Sequence, residues 1–80
     1  MSDFSVYFGT ILTVNGENIR ITDAVPVIGG DGYFTVIVSY DDGTHAEMEP
    51  YSIFTLSMTA EKIVYPDGSV FDRVAVENNL

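Results

Sequence analysis

The chain has 80 residues, no cysteine, 46% hydrophobic residues, and 12 acidic against three basic side chains, for a formal net charge of −9. That length gives one small domain spanning residues 1–80, the missing thiols exclude disulfides and thiolate metal sites, and the missing basic patch speaks against binding nucleic acid or an anionic membrane surface directly. So many apolar residues in so acidic a chain imply a folded, strongly negative object rather than a solvated tail.

The opening segment, MSDFSVYFGT, lacks the basic-then-apolar pattern of a secretory signal. No apolar run reaches the ~20 residues of a membrane helix. A cytoplasmic protein is expected. The first turn signal is Asn15-Gly16, which suits a two-residue type I′ hairpin because both central residues accept positive φ. It pairs Leu12 with Ile19, Thr10 with Ile21 and Val6 with Val25 on an apolar face. Thr13 meets Asn18 and Ile11 meets Arg20 on the other. Pro26 lacks an amide donor and should end or bulge the second strand.

Gly29-Gly30-Asp31-Gly32 reads as a flexible connection. It lacks the lysine of a P-loop and the spaced acidic ligands of an EF-hand. The next turn, Asp41-Asp42-Gly43, keeps one face apolar only as a three-residue loop with Gly43 left-handed. That register pairs Tyr40 with Thr44, Val38 with Ala46 and Val36 with Met48. Pro50 stops the fourth strand. Phe54, Leu56 and Met58 then alternate as a fifth strand, with a short helix as the competing reading. The last turn, Pro66-Asp67-Gly68, again reads as a three-residue loop. It sets Ile63 opposite Phe71, Val64 opposite Val70, Lys62 opposite Asp72 and Glu61 opposite Arg73. A two-residue loop would oppose two cations.

Six or seven short strands in such a chain predict an all-β fold: a small antiparallel barrel or a two-layer sandwich. Val36-Ile37-Val38-Ser39-Tyr40-Asp41-Asp42-Gly43-Thr44, with Glu47 and Tyr51-Ser52-Ile53, resembles the middle of Tudor-type and related SH3-like barrels. The resemblance favours an SH3-like barrel among those folds. It also implies that Tyr33, Tyr40 and Tyr51 are candidates for an aromatic cage around a methylated cation, by cation–π attraction. The plainer reading of the same tyrosines is as core or rim aromatics.

Catalytic equipment is sparse. His45 is the only imidazole, and only Ser39, across the second hairpin, could stand near it. A nucleophile would also need an orienting carboxylate. His45, Glu47 and Glu49 lie about 6.8 Å apart in succession along one side of a strand, too far apart to converge on one ion unaided. No enzyme, metal or cofactor is expected.

The charge carries the functional expectation. With Lys62 and Arg73 paired to Asp72 and Glu61, only Arg20 offsets Asp3, Glu17, Asp23, Asp31, Asp41, Asp42, Glu47, Glu49, Asp67 and Glu77. Nine charges equal about 15 Å of duplex DNA, so spread over a globule about 30 Å across they are dilute, and gathered on one face they are not. The expected function is a small acidic interaction protein that binds a basic, nucleic-acid-binding surface on a partner protein. Its sharpest form is a phage-type inhibitor that presents carboxylates in place of phosphates. The expected contact residues are Asp41, Asp42, Glu47 and Glu49, then Asp31 and Glu17, with Tyr40 and Tyr51 as anchors. Solubility alone is the plain alternative use of such acidity. Ile11 and Ile37, on otherwise polar faces, support a second alternative: a structural or assembly β-module held by apolar contacts. A Tudor-like reader of a modified cation is the third.

Overall fold

The computed structural model of the protein describes residues 4–78, and its strands form one six-stranded antiparallel sheet. β1 (Ile11–Val14) and β2 (Glu17–Pro26) make the first hairpin, β3 (Phe34–Tyr40) and β4 (His45–Met48) the second, and β5 (Lys62–Val64) and β6 (Val70–Asp72) the third. A 3₁₀ turn covers Phe4–Tyr7, α1 runs Pro50–Thr59 between the second and third hairpins, and α2 spans Arg73–Asn78. The strand order is β4-β3-β2-β1-β5-β6. The ladder does not close on itself, so the sheet has two edges, β4 and β6, in place of the closure a complete SH3-like barrel would show. The molecule measures 47 × 30 × 21 Å, longer than a 30 Å globule.

All three hairpins take the registers that turn chemistry and apolar matching imply. Leu12 faces Ile19, Val38 faces Ala46 and Val36 faces Met48, and Ile63 faces Phe71. Asn15 and Gly16 both have positive φ, 52° and 77°, as the tight first turn demands. The core is one cluster on the inner side of the sheet: Leu12, Ile19, Ile21, Val36, Val38 and Ile63, with Ile53 from α1 and Ala60 at its C-cap.

Two departures from strict alternation shape this inner side. The first hairpin is shorter than expected. At Gly9 (φ 95°) the chain leaves the ladder, in a conformation that costs glycine little. It then coils into the Phe4–Tyr7 turn, which puts Val6 in a 3₁₀ helix and not opposite Val25. The Phe4 ring instead meets Phe34 at 5.3 Å and Phe8 at 6.4 Å. β2 also carries a bulge between Ile21 and Asp23. One extra residue reverses which side chains face inward. Ile19 and Ile21 point into the core before the bulge, whereas Ala24 pairs with Val36, and Val25 is left exposed after it. Pro26 ends the strand, as its missing donor requires.

The segment after Pro50 is helix and not a fifth strand. Pro50 occupies the first turn, where its missing N–H costs nothing and its fixed φ suits a helix. Ile53, Leu56 and Ala60 then recur at helical spacing and face the core. Thr55, Ser57 and Thr59 hydroxyls donate back to carbonyls of the preceding turn, for example Thr55 Oγ1 to Tyr51 O at 3.0 Å. Such back-bonding to the preceding turn is the usual way a mid-helix Ser or Thr satisfies its hydroxyl. The period-two run Phe54, Leu56, Met58 is a coincidence of a helix with two apolar stripes. α1 lies against β1 and β3.

Candidate functional site

The sheet topology gathers carboxylates at one end. Ile19 pairs with Tyr40, so the β1–β2 and β3–β4 turns project side by side. Asn18 Nδ2 donates to Asp41 Oδ2 at 3.0 Å and binds the two turns together, while Thr13 Oγ1 donates to Asn18 Oδ1 at 2.8 Å. Glu61 reaches the same end, since its N–H donates to Thr13 O at 2.8 Å. Asp72 follows across β5–β6, opposite Lys62. Glu17, Asp41, Asp42, Glu61 and Asp72 thus fringe the ends of adjacent strands from β3 to β6. At a strand spacing of about 4.8 Å that row is about 19 Å long.

Not every expected contact residue joins it. Glu47 lies on the outer side of edge strand β4, opposite Ile37. Glu49 does not share that stripe: it is the N-cap residue of α1 and makes no side-chain cap bond. Asp31 sits in the β2–β3 loop at the other end of the hairpin. Tyr40 is half-buried against the core, Tyr51 is exposed on the first turn of α1, and Tyr33 is exposed beyond the far end of β3. Seven residues of strand separate Tyr33 from Tyr40, about 24 Å, so those rings do not converge. Ile11 and Ile37 are half-buried on the outer side. Asp3 and the side chain of Glu77 lie outside the described residues.

The expected pairing of Arg73 with Glu61 is replaced by another bond set. Arg73 Nε donates to Ala60 O at 2.9 Å and Nη2 to Met58 O at 2.7 Å, with the guanidinium 5.2 Å from the Phe71 ring centroid. The carbonyls left open at the end of α1 lie at the negative end of the helix, and they hold the guanidinium in place of the Glu61 carboxylate. Glu61 is left without that partner, which raises the negative charge of the fringe.

Two turn carboxylates are held ionised. The Thr44 hydroxyl donates to Asp42 Oδ1 at 2.6 Å and the Thr44 N–H at 2.9 Å, and both bonds hold Asp42 below the ordinary aspartate value of 3.8. Ser69 does the same for Asp67, with hydroxyl and N–H at 2.7 and 2.9 Å. A depressed folded-state pKa adds stability above 3.8 that disappears as pH falls through the lowered value. In a carboxyl NMR titration Asp42 and Asp67 should each protonate below the ordinary aspartate value of 3.8. Thr44→Val should raise the Asp42 midpoint; an unmoved midpoint would mean that the turn bonds are not its cause.

The inner side carries a second feature that the sequence reading missed. A cleft of about 570 Å³ opens between α1, the Phe4–Tyr7 turn and the β5–β6 hairpin. Phe54 and Met58, one turn apart on α1, line one wall and are both more than half exposed. Ile63, Tyr65 and Phe71 line the other. Thr10 also lines it; the residue is 4% exposed, and its buried hydroxyl has no hydrogen-bond partner among the described residues. Arg73 is the one charged side chain among the described residues of the lining. A signal was present in the sequence: a threonine in an otherwise apolar row with Leu12 and Val14, and surplus apolar residues once Ile53, Leu56 and Ala60 are assigned to the core.

No protein-family model, no curated protein and no solved structure matches this chain. Among the described residues no three His, Asp or Glu side chains group as metal ligands. Ser39 and His45 are cross-strand partners on the outer side, with no hydrogen bond between them. No helix among the described residues is long and apolar enough to cross a membrane.

Proposed function

We propose that the protein is a non-enzymatic, acidic interaction protein whose carboxylate fringe docks on a basic, nucleic-acid-binding surface of a partner protein. The observation that carries this reading is the side-by-side placement of Glu17, Asp41 and Asp42 with Glu61 and Asp72, while Arg73 is turned away to the end of α1. Five carboxylates over about 19 Å of sheet end, with Lys62 opposite Asp72, compare with one phosphate per ~3.4 Å along a DNA strand. Such a row suits lysines and arginines arranged to receive a phosphate backbone. An inhibitor that stands in for nucleic acid is the sharpest form of this reading. Long-range attraction would steer the encounter and make it salt-dependent.

The test is affinity capture from a host lysate at about 50 and 200 mM salt, with the retained partner then titrated directly. Retention should fall steeply with salt. The combined variant Glu17→Gln, Asp41→Asn, Asp42→Asn and Glu61→Gln should weaken the partner by at least about 10-fold. The control variant Asp23→Asn, Asp31→Asn removes charge elsewhere and should change it little. Equal loss from both variants would reduce the acidity to general repulsion and solubility.

One observation favours the alternative of an assembly module held by apolar contacts. The β2–β3 hairpin ends in exposed Val25, Val27 and Tyr33, and Ile28 is fully exposed. Retention that ignores salt but is lost with Ile28→Asp would support that reading over the electrostatic one.

A further inference from the structure

We propose that the inner cleft is a binding site for an elongate, mostly apolar molecule with a carboxylate at one end and a hydrogen-bonding atom at the other. This site is distinct from the acidic fringe. Its volume, about 570 Å³, lies in the range of small-molecule sites, about 300–1,000 Å³. Its walls are the aromatic and thioether side chains of Phe54, Met58, Tyr65 and Phe71.

Two polar groups define the ends. Thr10 supplies a buried hydroxyl with no hydrogen-bond partner among the described residues. Native interiors seldom leave such a group unpaired, and a ligand atom that parts the side chains covering this oxygen exchanges one bond to water for a bond to a hydroxyl that otherwise has none. Arg73 supplies the charge. Two of the guanidinium's five N–H donors are taken by Met58 O and Ala60 O, which fixes its orientation and leaves the others for an anion. In a chain of net charge −9, this lining contains a cation and no carboxylate among the described residues. At physiological salt the surrounding field is screened beyond about 8 Å, so contact with Arg73 decides the sign of the ligand.

Strand register sets the length. Ile11 pairs with Val64 and Leu12 with Ile63, which places Thr10 beside Tyr65; Glu61 and Arg73 lie four residues further along, bridged by the Arg73 N–H to Glu61 O bond of 2.9 Å. Four strand residues span about 14 Å, which a chain of about ten carbons can bridge.

The probes are 10-hydroxydecanoate, decanoate and 10-amino-1-decanol, titrated by NMR into the full chain at about 0.15 M salt. With 10-hydroxydecanoate, saturable shifts should centre on Tyr7, Thr10, Phe54 and Phe71. The amino alcohol should bind at least about 10-fold more weakly and decanoate about 3- to 10-fold more weakly. Thr10→Val should erase the difference between the two carboxylates while raising the thermal midpoint by about 5 °C, since it removes an unpaired buried hydroxyl. Thr10→Ser should keep the difference, which guards against a folding defect. The proposal is overturned if no probe saturates, if the amino alcohol binds as tightly, or if the preference survives Thr10→Val. Concentration-dependent shifts of the same amides without any probe, the mark of a second copy in the cleft, would overturn it too.

Discussion

Leu12→Ala should leave the protein largely unfolded at 25 °C. Leu12 is 1% exposed and sits in the middle of β1, paired with Ile19 on one side and Ile63 on the other. It thus joins the two ladders that hold the third hairpin to the rest of the sheet. Truncating a buried leucine costs about 3–5 kcal/mol, because the lost burial is compounded by a cavity the surroundings fill only partly. A domain of this size has total stability of only about 4–12 kcal/mol at the usual 0.05–0.15 kcal/mol per residue, and small cores fall at the low end. Urea unfolding followed by circular dichroism should show the folded baseline shortened or gone. Ile37→Ala, on the half-buried outer side, should cost less than about 1.5 kcal/mol. A Leu12→Ala protein that unfolds at nearly the wild-type urea concentration would mean that the inner cluster is not the structural core.

Arg73→Gln should cost about 2–4 kcal/mol, and Glu61→Gln should cost almost nothing. The asymmetry separates two accounts of the same arginine. If it served as the cross-strand partner of Glu61, removing either member would cost similar, small amounts, since exposed pairs contribute about 0–1 kcal/mol. Its donors instead go to Met58 O and Ala60 O at the end of α1. Hydrogen bonds from a charged group contribute about 1.5–3 kcal/mol when shielded and less where water competes, as at Met58 O, and both bonds also anchor the end of α1 to the start of α2. Arg73→Lys keeps the charge but cannot offer two donors in a fixed fork, so it should recover less than half of the loss. High salt should leave the Arg73 effect largely intact. Equal losses from Arg73→Gln and Glu61→Gln would restore the ion-pair account.

What the sequence disclosed follows from how far each signal reaches. The three hairpins were legible because the turn and its flanking residues settle the register locally: Asn15-Gly16 accepts the backbone of a tight turn, and a shifted register at Asp41-Asp42-Gly43 would have put Glu47 opposite Val38. The bulge at Ile21–Asp23 was not legible. Thr22 is an unremarkable strand residue, and the reversal it causes depends on where β3 lies, which no local pattern contains. The coil at Phe4–Tyr7 was hidden similarly, because Val6 and Val25 match well as strand partners. Phe4 prefers the Phe34 ring, and only the folded chain brings the two together. For α1 both periods were present, and the competition was decided by the open inner side of the sheet, which Ile53, Leu56 and Ala60 cover. The acidic row was half legible: Asp41 and Asp42 are evident, but their proximity to Glu17 and Glu61 is a product of strand order. The release of Glu61 from Arg73 rests on carbonyls at a helix end that the sequence reading had assigned to a strand.

The β1–β5 ladder consists of Ile11↔Val64, Leu12↔Ile63 and Thr13↔Lys62. Across this short seam, with the Arg73 latch to the end of α1, the last quarter of the chain is fastened to the other four strands. Detaching the third hairpin breaks far fewer contacts than melting the whole domain, so it should occur at lower free energy and more often. The aromatic recess straddles this joint, with one wall on each side of it. Breathing of the joint therefore widens and narrows the recess, and a molecule lodged there would act as a rivet between the two parts of the sheet.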